Sequence, residues 1–115
     1  MDKLAIYHNP RCSKSREACE IIDTKGIPFE LREYLVNPLS KKELKALLKK
    51  LGMKAEQLVR KTEELYKTNF KHKKLNNTEW IEVLVKNPIL IERPIIVKGQ
   101  KAVIGRHPES INKLF

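Results

Sequence analysis

One cysteine, Cys12, lies in the segment HNPRCSKSREAC, where a short apolar stretch gives way to a helical pattern. A thiol is a nucleophile only as the thiolate, and the start of a helix stabilises that charge through unpaired N–H groups and the macrodipole. Positive charge lies nearby in sequence, on Arg11, Lys14, Arg16 and His8. We therefore predict that the pKa of Cys12 lies below the ~8.5 of a free thiol. The alternative, a buried inert thiol, is disfavoured by these polar and basic neighbours.

The second cysteine, Cys19, is poorly placed as an internal disulfide partner. It lies seven residues after Cys12, beside the apolar side of the predicted helix that carries Ala18 and Ile22. Seven helical residues rise by roughly 10 Å, whereas a disulfide needs Cα atoms within about 7 Å of each other. We predict that Cys19 is a small core residue and that a resolving thiol comes from another molecule.

Two polar residues flank Cys12 at positions that suit a thiol site. Ser15 stands where a Cys-x-x-Cys motif would place its second sulfur. Its hydroxyl would either donate to the Cys12 thiolate or cap the helix. His8 would either carry a proton or order the loop, and we favour the second role.

The composition predicts one domain with a modest core, since the chain has 115 residues, a net charge of +10 and 41% hydrophobic residues. No apolar run approaches the ~20 residues of a membrane span, and Met1 leads into a strand-like segment without the layout of a secretory signal. We therefore expect a cytoplasmic protein with no membrane partner. Two cysteines are too few for a disulfide scaffold, and the scattered His8, His72 and His107 form no metal site.

Lysines outnumber acidic residues heavily between Lys41 and Lys74. Because they interleave with leucines at helical spacing, we interpret them as the solvated faces of amphipathic helices. The alternative is a positive field that attracts a small oxyanion, an acidic protein or a nucleic acid. No series of stacking aromatic residues and no recognisable reading helix accompanies the lysines, which argues against nucleic-acid binding.

The elements around Cys12 are predicted to form a βαβ unit. Residues 3–7 are short and apolar like a buried strand, a helical period runs from Ser13 to a stop at Gly26, and residues 29–34 alternate apolar and charged side chains. A crossover of this kind makes the two strands parallel and right-handed.

The rest of the chain predicts a helical block followed by a strand pair. Ser40 and Glu43 form a capping box at the start of a helix that Gly52 ends, and Gly99 lies between two apolar runs in a hairpin pattern. Further elements are predicted at residues 55–59, 63–70, 78–85, 94–97, 102–104 and from Pro108 onward. This order is compatible with a single α/β domain over residues 1–115, a thioredoxin-like four-stranded mixed sheet flanked by helices, with a helical insertion between strands 2 and 3.

Three arginines could bind an anionic substrate: Arg60, Arg93 before Pro94, and Arg106 after the hairpin. In thioredoxin-like folds the residue before a cis-proline faces the active cysteine, and Arg106 lies near the same end of such a sheet. Guanidinium groups bind tetrahedral oxyanions through paired N–H bonds and offset the repulsion between two anions.

Three segments, YHNPRCSKSRE at 7–17, LVRKTEELY at 58–66 and ERPIIVKGQKAVIGRHPE at 92–109, resemble the glutaredoxin-coupled arsenate reductases and their close relatives. The resemblance implies a thioredoxin-like fold and a single catalytic cysteine that matches Cys12. It also implies an oxyanion-binding trio and two residues that tune the thiolate, matching Arg60, Arg93 and Arg106, and His8 and Ser15.

In the mechanism that the resemblance implies, Cys12 attacks arsenate, glutathione adds, arsenite leaves, and glutaredoxin reduces the mixed disulfide on Cys12. Glutathione would be a co-substrate, and no bound cofactor is expected. Spx-type regulators, which bind RNA polymerase and sense disulfide stress through a Cys-x-x-Cys pair, share the length, the helical insertion and the Arg-Pro strand. Ser15 removes that switch, whereas Arg60 and Arg106 favour the reductase. A thiol oxidoreductase of unknown substrate is the remaining alternative.

Overall fold

The structure is a computed structural model that describes residues 4–115. The first residue of the predicted first strand, Lys3, lies outside this range. The strands are β1 (Leu4–His8), β2 (Phe29–Glu33), β3 (Ile95–Lys98) and β4 (Lys101–Ile104). The α-helices are α1 (Ser13–Thr24), α2 (Lys41–Leu51), α3 (Glu64–Asn69), α4 (Asn77–Lys86) and α5 (Pro108–Asn112), and Ala55–Leu58 and Pro88–Leu90 are 3-10 turns.

The chain divides into two compact units. One unit contains residues up to Asn37 together with Arg93–Phe115, and the other is Pro38–Glu92. All four strands belong to the first unit, and the second is the helical insertion predicted between strands 2 and 3. That the whole chain is a single domain stays a prediction.

The sheet of the first unit has the order β2-β1-β3-β4. Strand β1 pairs with β2 in parallel, as the predicted crossover requires, while β1–β3 and β3–β4 are antiparallel. The predicted four-stranded mixed sheet is therefore confirmed. Tyr7 pairs with Ile95 and Ile95 pairs with Ile104, so β1 ends, β3 begins and β4 ends at one edge of the sheet.

The core of the first unit fixes the start of α1 against β1. Side chains alternate along a strand, so Leu4 and Ile6 face one side of the sheet, where they are buried. Residues of α1, β3, α5 and the chain's end complete this cluster: Ala18, Ile22, Ile96, Ile111 and Leu114. The helical period therefore buries one face of α1 and leaves its first turn at the edge where β1 ends.

The second unit begins with the predicted capping box. Ser40 Oγ accepts from the Glu43 N–H and Glu43 Oε1 accepts from the Ser40 N–H, both at 3.1 Å. Gly52 ends α2 with a left-handed φ of 68°, as predicted. A bridge between Val59 and Ile91 brings the two ends of the α3–α4 segment together.

The predicted hairpin is confirmed and is tighter than the sequence indicates. Pairing continues to Lys98 and Lys101, so the loop contains only Gly99 and Gln100. Gly99 has a φ of 59°, which the short turns of hairpins require and which glycine adopts without steric cost. Within residues 4–115, no helix is long and apolar enough to cross a bilayer.

Gly105 lies where β4 turns toward Arg106, and its N–H donates to the Pro94 carbonyl at 2.8 Å. A Cβ at this position would lie 2.6 Å from the δ-methyl of Ile96, which is fully buried and has little room to move. Gly105→Ala should therefore lower the free energy of unfolding by about 1–3 kcal/mol, as overpacking does. Urea unfolding checks this against Gln100→Ala, an exposed change in the hairpin turn; equal stability of the two variants would contradict the packing argument.

Candidate active site

Cys12 stands at the N-terminus of α1, as predicted. It is the N-cap residue, with an extended backbone, and its N–H donates to the Asn9 carbonyl at 3.0 Å. The Cys12 carbonyl in turn accepts from the Arg16 N–H at 3.1 Å, which begins the helix. The side chain is partly exposed and is a free thiol. Its position leaves the sulfur beside the unpaired amides of the first turn.

The pKa of Cys12 is lowered, as the sequence predicts. Burial acts in the opposite direction and raises it, but hydrogen bonds from the Ser15 N–H, the Arg93 guanidinium and the Lys14 N–H together outweigh that penalty. The Cys12 side chain, as the neutral thiol, makes no capping hydrogen bond to a helix N–H. The amides therefore lower the pKa chiefly by stabilising the negatively charged thiolate. The site therefore favours the thiolate.

The side-chain charge that lowers this pKa is that of Arg93, not of the basic residues next to Cys12 in sequence. Arg16 donates instead to the Pro10 carbonyl at 2.8 Å, and the Lys14 ammonium lies 3.6 Å from the Glu17 carboxylate. Lys14 contributes through its backbone N–H. The predicted positively charged environment of Cys12 is therefore confirmed, but the basic side chains next to it in sequence are not the source of the charge.

Arg93 reaches the site because it lies two residues before the start of β3. The Arg93–Pro94 peptide is cis, and Arg93 is only 7% exposed. Arg106 follows β4 after Gly105, and the β3–β4 register places both arginines at the edge of the sheet where β1 ends. The prediction that Arg106 lies near this end of the sheet is confirmed. Its contact with a substrate stays a prediction.

The contacts of the Ser15 hydroxyl differ from the two roles predicted from the sequence, donation to the Cys12 thiolate and capping of the helix. It accepts from the Asn9 N–H at 3.0 Å and lies 2.7 Å from Nδ1 of His8, while the Ser15 backbone N–H serves Cys12. Both Ser15 and His8 are buried. These bonds tie the end of β1 to the first turn of α1, which fits the loop-ordering role favoured for His8.

Cys19 packs against the core cluster, as predicted, but is only partly buried. Its Sγ lies 3.6 Å from His8 Nδ1, a contact that the sequence analysis missed. The four-residue spacing from Ser15 could have indicated it, because helical residues at i and i+4 share a face. Burial raises the pKa of Cys19, so its thiol is protonated at neutral pH.

Arg60 belongs to the second unit, directly after the bridge at Val59. Its backbone N–H donates to the Leu90 carbonyl, and its Nε lies 3.4 Å from the Glu63 carboxylate. That distance permits an ion pair, but Nε and Nη1 are buried without a hydrogen-bond partner among residues 4–115. Buried N–H groups in this condition remain available to an acceptor that is not part of the described chain.

Comparisons with known proteins show which proteins this chain is similar to. The model of the ArsC family matches residues 7–114. The protein YfgD of Escherichia coli K12, described as uncharacterized, is 45% identical over 111 residues, covering 95% of this chain and 93% of YfgD. An arsenate reductase of Haemophilus influenzae is 43% identical over 112 residues, covering 96% and 97%. The solved arsenate reductase of Vibrio cholerae is 37% identical, covers 99% of this chain and 98% of its own, and has a TM-score of 0.92.

The mixed sheet and the cysteine at the start of its first helix define a thioredoxin-like thiol protein. Within that class, the chain belongs to the ArsC family, since the family model and relatives above 30% identity cover nearly all of it. The resemblance drawn from the sequence motifs is thereby confirmed, as is the thioredoxin-like fold.

Removing the Arg93 guanidinium should raise the pKa of Cys12, because burial then opposes the thiolate with less compensation. In Arg93→Met, the midpoint of Cys12 alkylation by iodoacetamide should move to higher pH. Peptide mapping separates Cys12 from Cys19 in this measurement.

Arg11→Met is the matched control, since Arg11 adjoins Cys12 in sequence but is exposed. Its midpoint should stay close to that of the wild-type protein. An unchanged midpoint in Arg93→Met, or an equal rise in both variants, would refute the assigned role of Arg93.

Proposed function

We propose that this protein is an arsenate reductase-like oxidoreductase in which the Cys12 thiolate attacks an arginine-bound oxyanion and converts arsenate to arsenite. Membership of the ArsC family and the names of its curated relatives support this substrate. The observation that carries the proposal is the pairing of Cys12 with the buried Arg93 guanidinium at the start of a helix. This pairing supplies a nucleophile and an anion-binding donor at one place.

Electrostatics favours an oxyanion substrate over a neutral disulfide. A thiolate repels an anionic substrate, and guanidinium groups offset that repulsion while they bind tetrahedral oxygens through paired N–H bonds. Arg93 lies before β3 and Arg106 after β4, at the end of the sheet where β1 ends, and Arg60 supplies buried N–H donors without a hydrogen-bond partner among the described residues. We assign these three arginines to substrate binding, as the resemblance implies.

The proposed reaction balances with one external thiol. Cys12 displaces a hydroxyl of arsenate, and a sulfur–arsenic(V) bond forms with loss of water. Glutathione then contributes the second sulfur; arsenic gains two electrons and leaves as arsenite, and the sulfurs of Cys12 and glutathione are oxidised to a mixed disulfide. Glutaredoxin takes the glutathionyl group and regenerates the Cys12 thiol.

The second cysteine of the chain is poorly suited to resolve an intermediate on Cys12, which favours an external reductant. Cys19, the other cysteine, packs against the core and has a raised pKa, so it is a poor attacking thiol. Glutathione and glutaredoxin would act as co-substrate and partner in the cytoplasm, a compartment that keeps thiols reduced. His8 and Ser15 support the thiolate by holding the first turn of α1 in place.

A coupled assay tests this proposal: arsenate-dependent oxidation of NADPH in the presence of glutathione, glutaredoxin and glutathione reductase. Cys12→Ser should abolish turnover, since no sulfur–arsenic bond can form. Arg93→Ala should lower kcat/KM by an amount equivalent to on the order of 2–4 kcal/mol, as expected for loss of an oxyanion donor.

Arg11→Ala serves as the control for loss of a nearby exposed charge and should retain activity. Wild-type turnover no greater than that of Cys12→Ser would reject arsenate as the substrate. Replacing glutathione and glutaredoxin by thioredoxin and its reductase in the same assay identifies the electron donor.

A further inference from the structure

Asn9 is a buried polar residue to which the proposed reaction gives no role. It directly follows β1 and is only 3% exposed. Burying an amide costs free energy unless hydrogen bonds replace those it made to water. Among the described residues, Asn9 makes three hydrogen bonds, and all of them go to residues between Arg11 and Ser15, the segment that contains Cys12.

Two of these bonds form a turn that ends at Cys12. The Cys12 N–H donates to the Asn9 carbonyl at 3.0 Å, which closes a β-turn over residues 9–12. The Arg11 N–H donates to Asn9 Oδ1, also at 3.0 Å, and this adds an Asx-turn at the same place. Asparagine at the first position and Pro10 at the second are residues that a type I turn favours. Because Cys12 is the N-cap of α1, the turn determines where the helix and its thiol begin.

The third bond joins the turn to the helix. The Asn9 N–H donates to Ser15 Oγ at 3.0 Å, and the Ser15 backbone N–H is one of the amides that lower the pKa of Cys12. Asn9 therefore contacts Cys12 itself and the residues on both sides of it.

Only the bond to Oδ1 requires the asparagine side chain, since the other two use the backbone N–H and carbonyl of Asn9. Alanine at this position cannot accept a hydrogen bond through its side chain. Serine can accept the same bond, although more weakly. Aspartate can also accept it, but its negative charge beside Cys12 would oppose the thiolate. A neutral acceptor is therefore the side chain that suits both the turn and the charge.

We propose that Asn9 is a positioning residue for Cys12: its side-chain oxygen holds the turn over residues 9–12 and thereby places the sulfur beside the first amides of α1. Asn9 does not touch the reacting atoms and acts through the backbone of Arg11 and Cys12. The effect of this turn on arsenate turnover rests on the proposed function, whereas the position and the alkylation of Cys12 do not.

The pH dependence of Cys12 alkylation by iodoacetamide, followed by peptide mapping, tests this role in Asn9→Ala and Asn9→Ser. Loss of the Oδ1 acceptor should loosen the turn and weaken the alignment of the sulfur with the Lys14 and Ser15 N–H groups. The midpoint in Asn9→Ala should rise by about half a pH unit or more, which slows alkylation below the midpoint about threefold. Asn9→Ser, which restores a neutral acceptor, should lie between Asn9→Ala and the wild-type protein.

Ser40→Ala is the control for a loss of stability alone. It removes the capping bond to the Glu43 N–H in the Pro38–Glu92 unit, and urea unfolding measures the stability that each variant loses. Its Cys12 midpoint should match that of the wild-type protein. Equal midpoints in Asn9→Ala and the wild-type protein, or an equal rise in Asn9→Ala and Ser40→Ala, would overturn the proposal.

Hydrogen exchange in the wild-type protein tests the turn even if Asn9→Ala fails to fold. The Arg11 amide should be protected from exchange, because it donates to Oδ1 of Asn9. An Arg11 amide that exchanges as fast as in the unfolded chain would also overturn the proposal. Neither measurement uses arsenate, so failure of arsenate turnover would leave both results unchanged.

Discussion

Stabilisation of the Cys12 thiolate by the first backbone amides of α1 and by the Arg93 guanidinium is the interaction on which the rest of the site depends. A half-buried thiol would by itself remain protonated, because burial penalises the charge. The fold overcomes this penalty by bringing two backbone amides of α1 and one guanidinium to the same sulfur. The sheet makes this possible, since its register sets the start of β3 beside the end of β1. Sheet topology therefore determines the reactivity of one side chain.

The second requirement is that the first turn of α1 holds its position relative to β1. The bonds of Ser15 to His8 and to the Asn9 N–H lock this junction from within the core. Because Ser15 gives its backbone N–H to Cys12 and its hydroxyl to His8, one residue joins the thiolate to the structural support beneath it. A Cys-x-x-Cys protein would use this position for a redox partner. Here it is part of the scaffold of a single-thiol site.

Much of this fold could be predicted because its signals are local. The Ser40–Glu43 capping box, the Gly99 turn and the place of Cys12 at a helix start depend on residues close in sequence, and the structure contains all three. Long-range contacts could not be predicted in this way. Sequence proximity favoured Arg11, Lys14, Arg16 and His8 as the source of positive charge, whereas the sheet register supplies Arg93, which the sequence placed at the site only through its likeness to thioredoxin-like folds. The direction of the Ser15 hydroxyl likewise depends on His8 across the β1–α1 junction, which periodicity along one helix does not reveal.

We expect Cys12 alone to form the covalent intermediate and an external thiol to resolve it. Mass spectrometry of the protein after incubation with arsenate and glutathione, without glutaredoxin, tests this most directly. We predict one glutathionyl group on the peptide that contains Cys12, present only when arsenate is added, with an unmodified Cys19. An arsenate-independent adduct, a Cys12–Cys19 disulfide, or modification at Cys19 in place of Cys12 would contradict it.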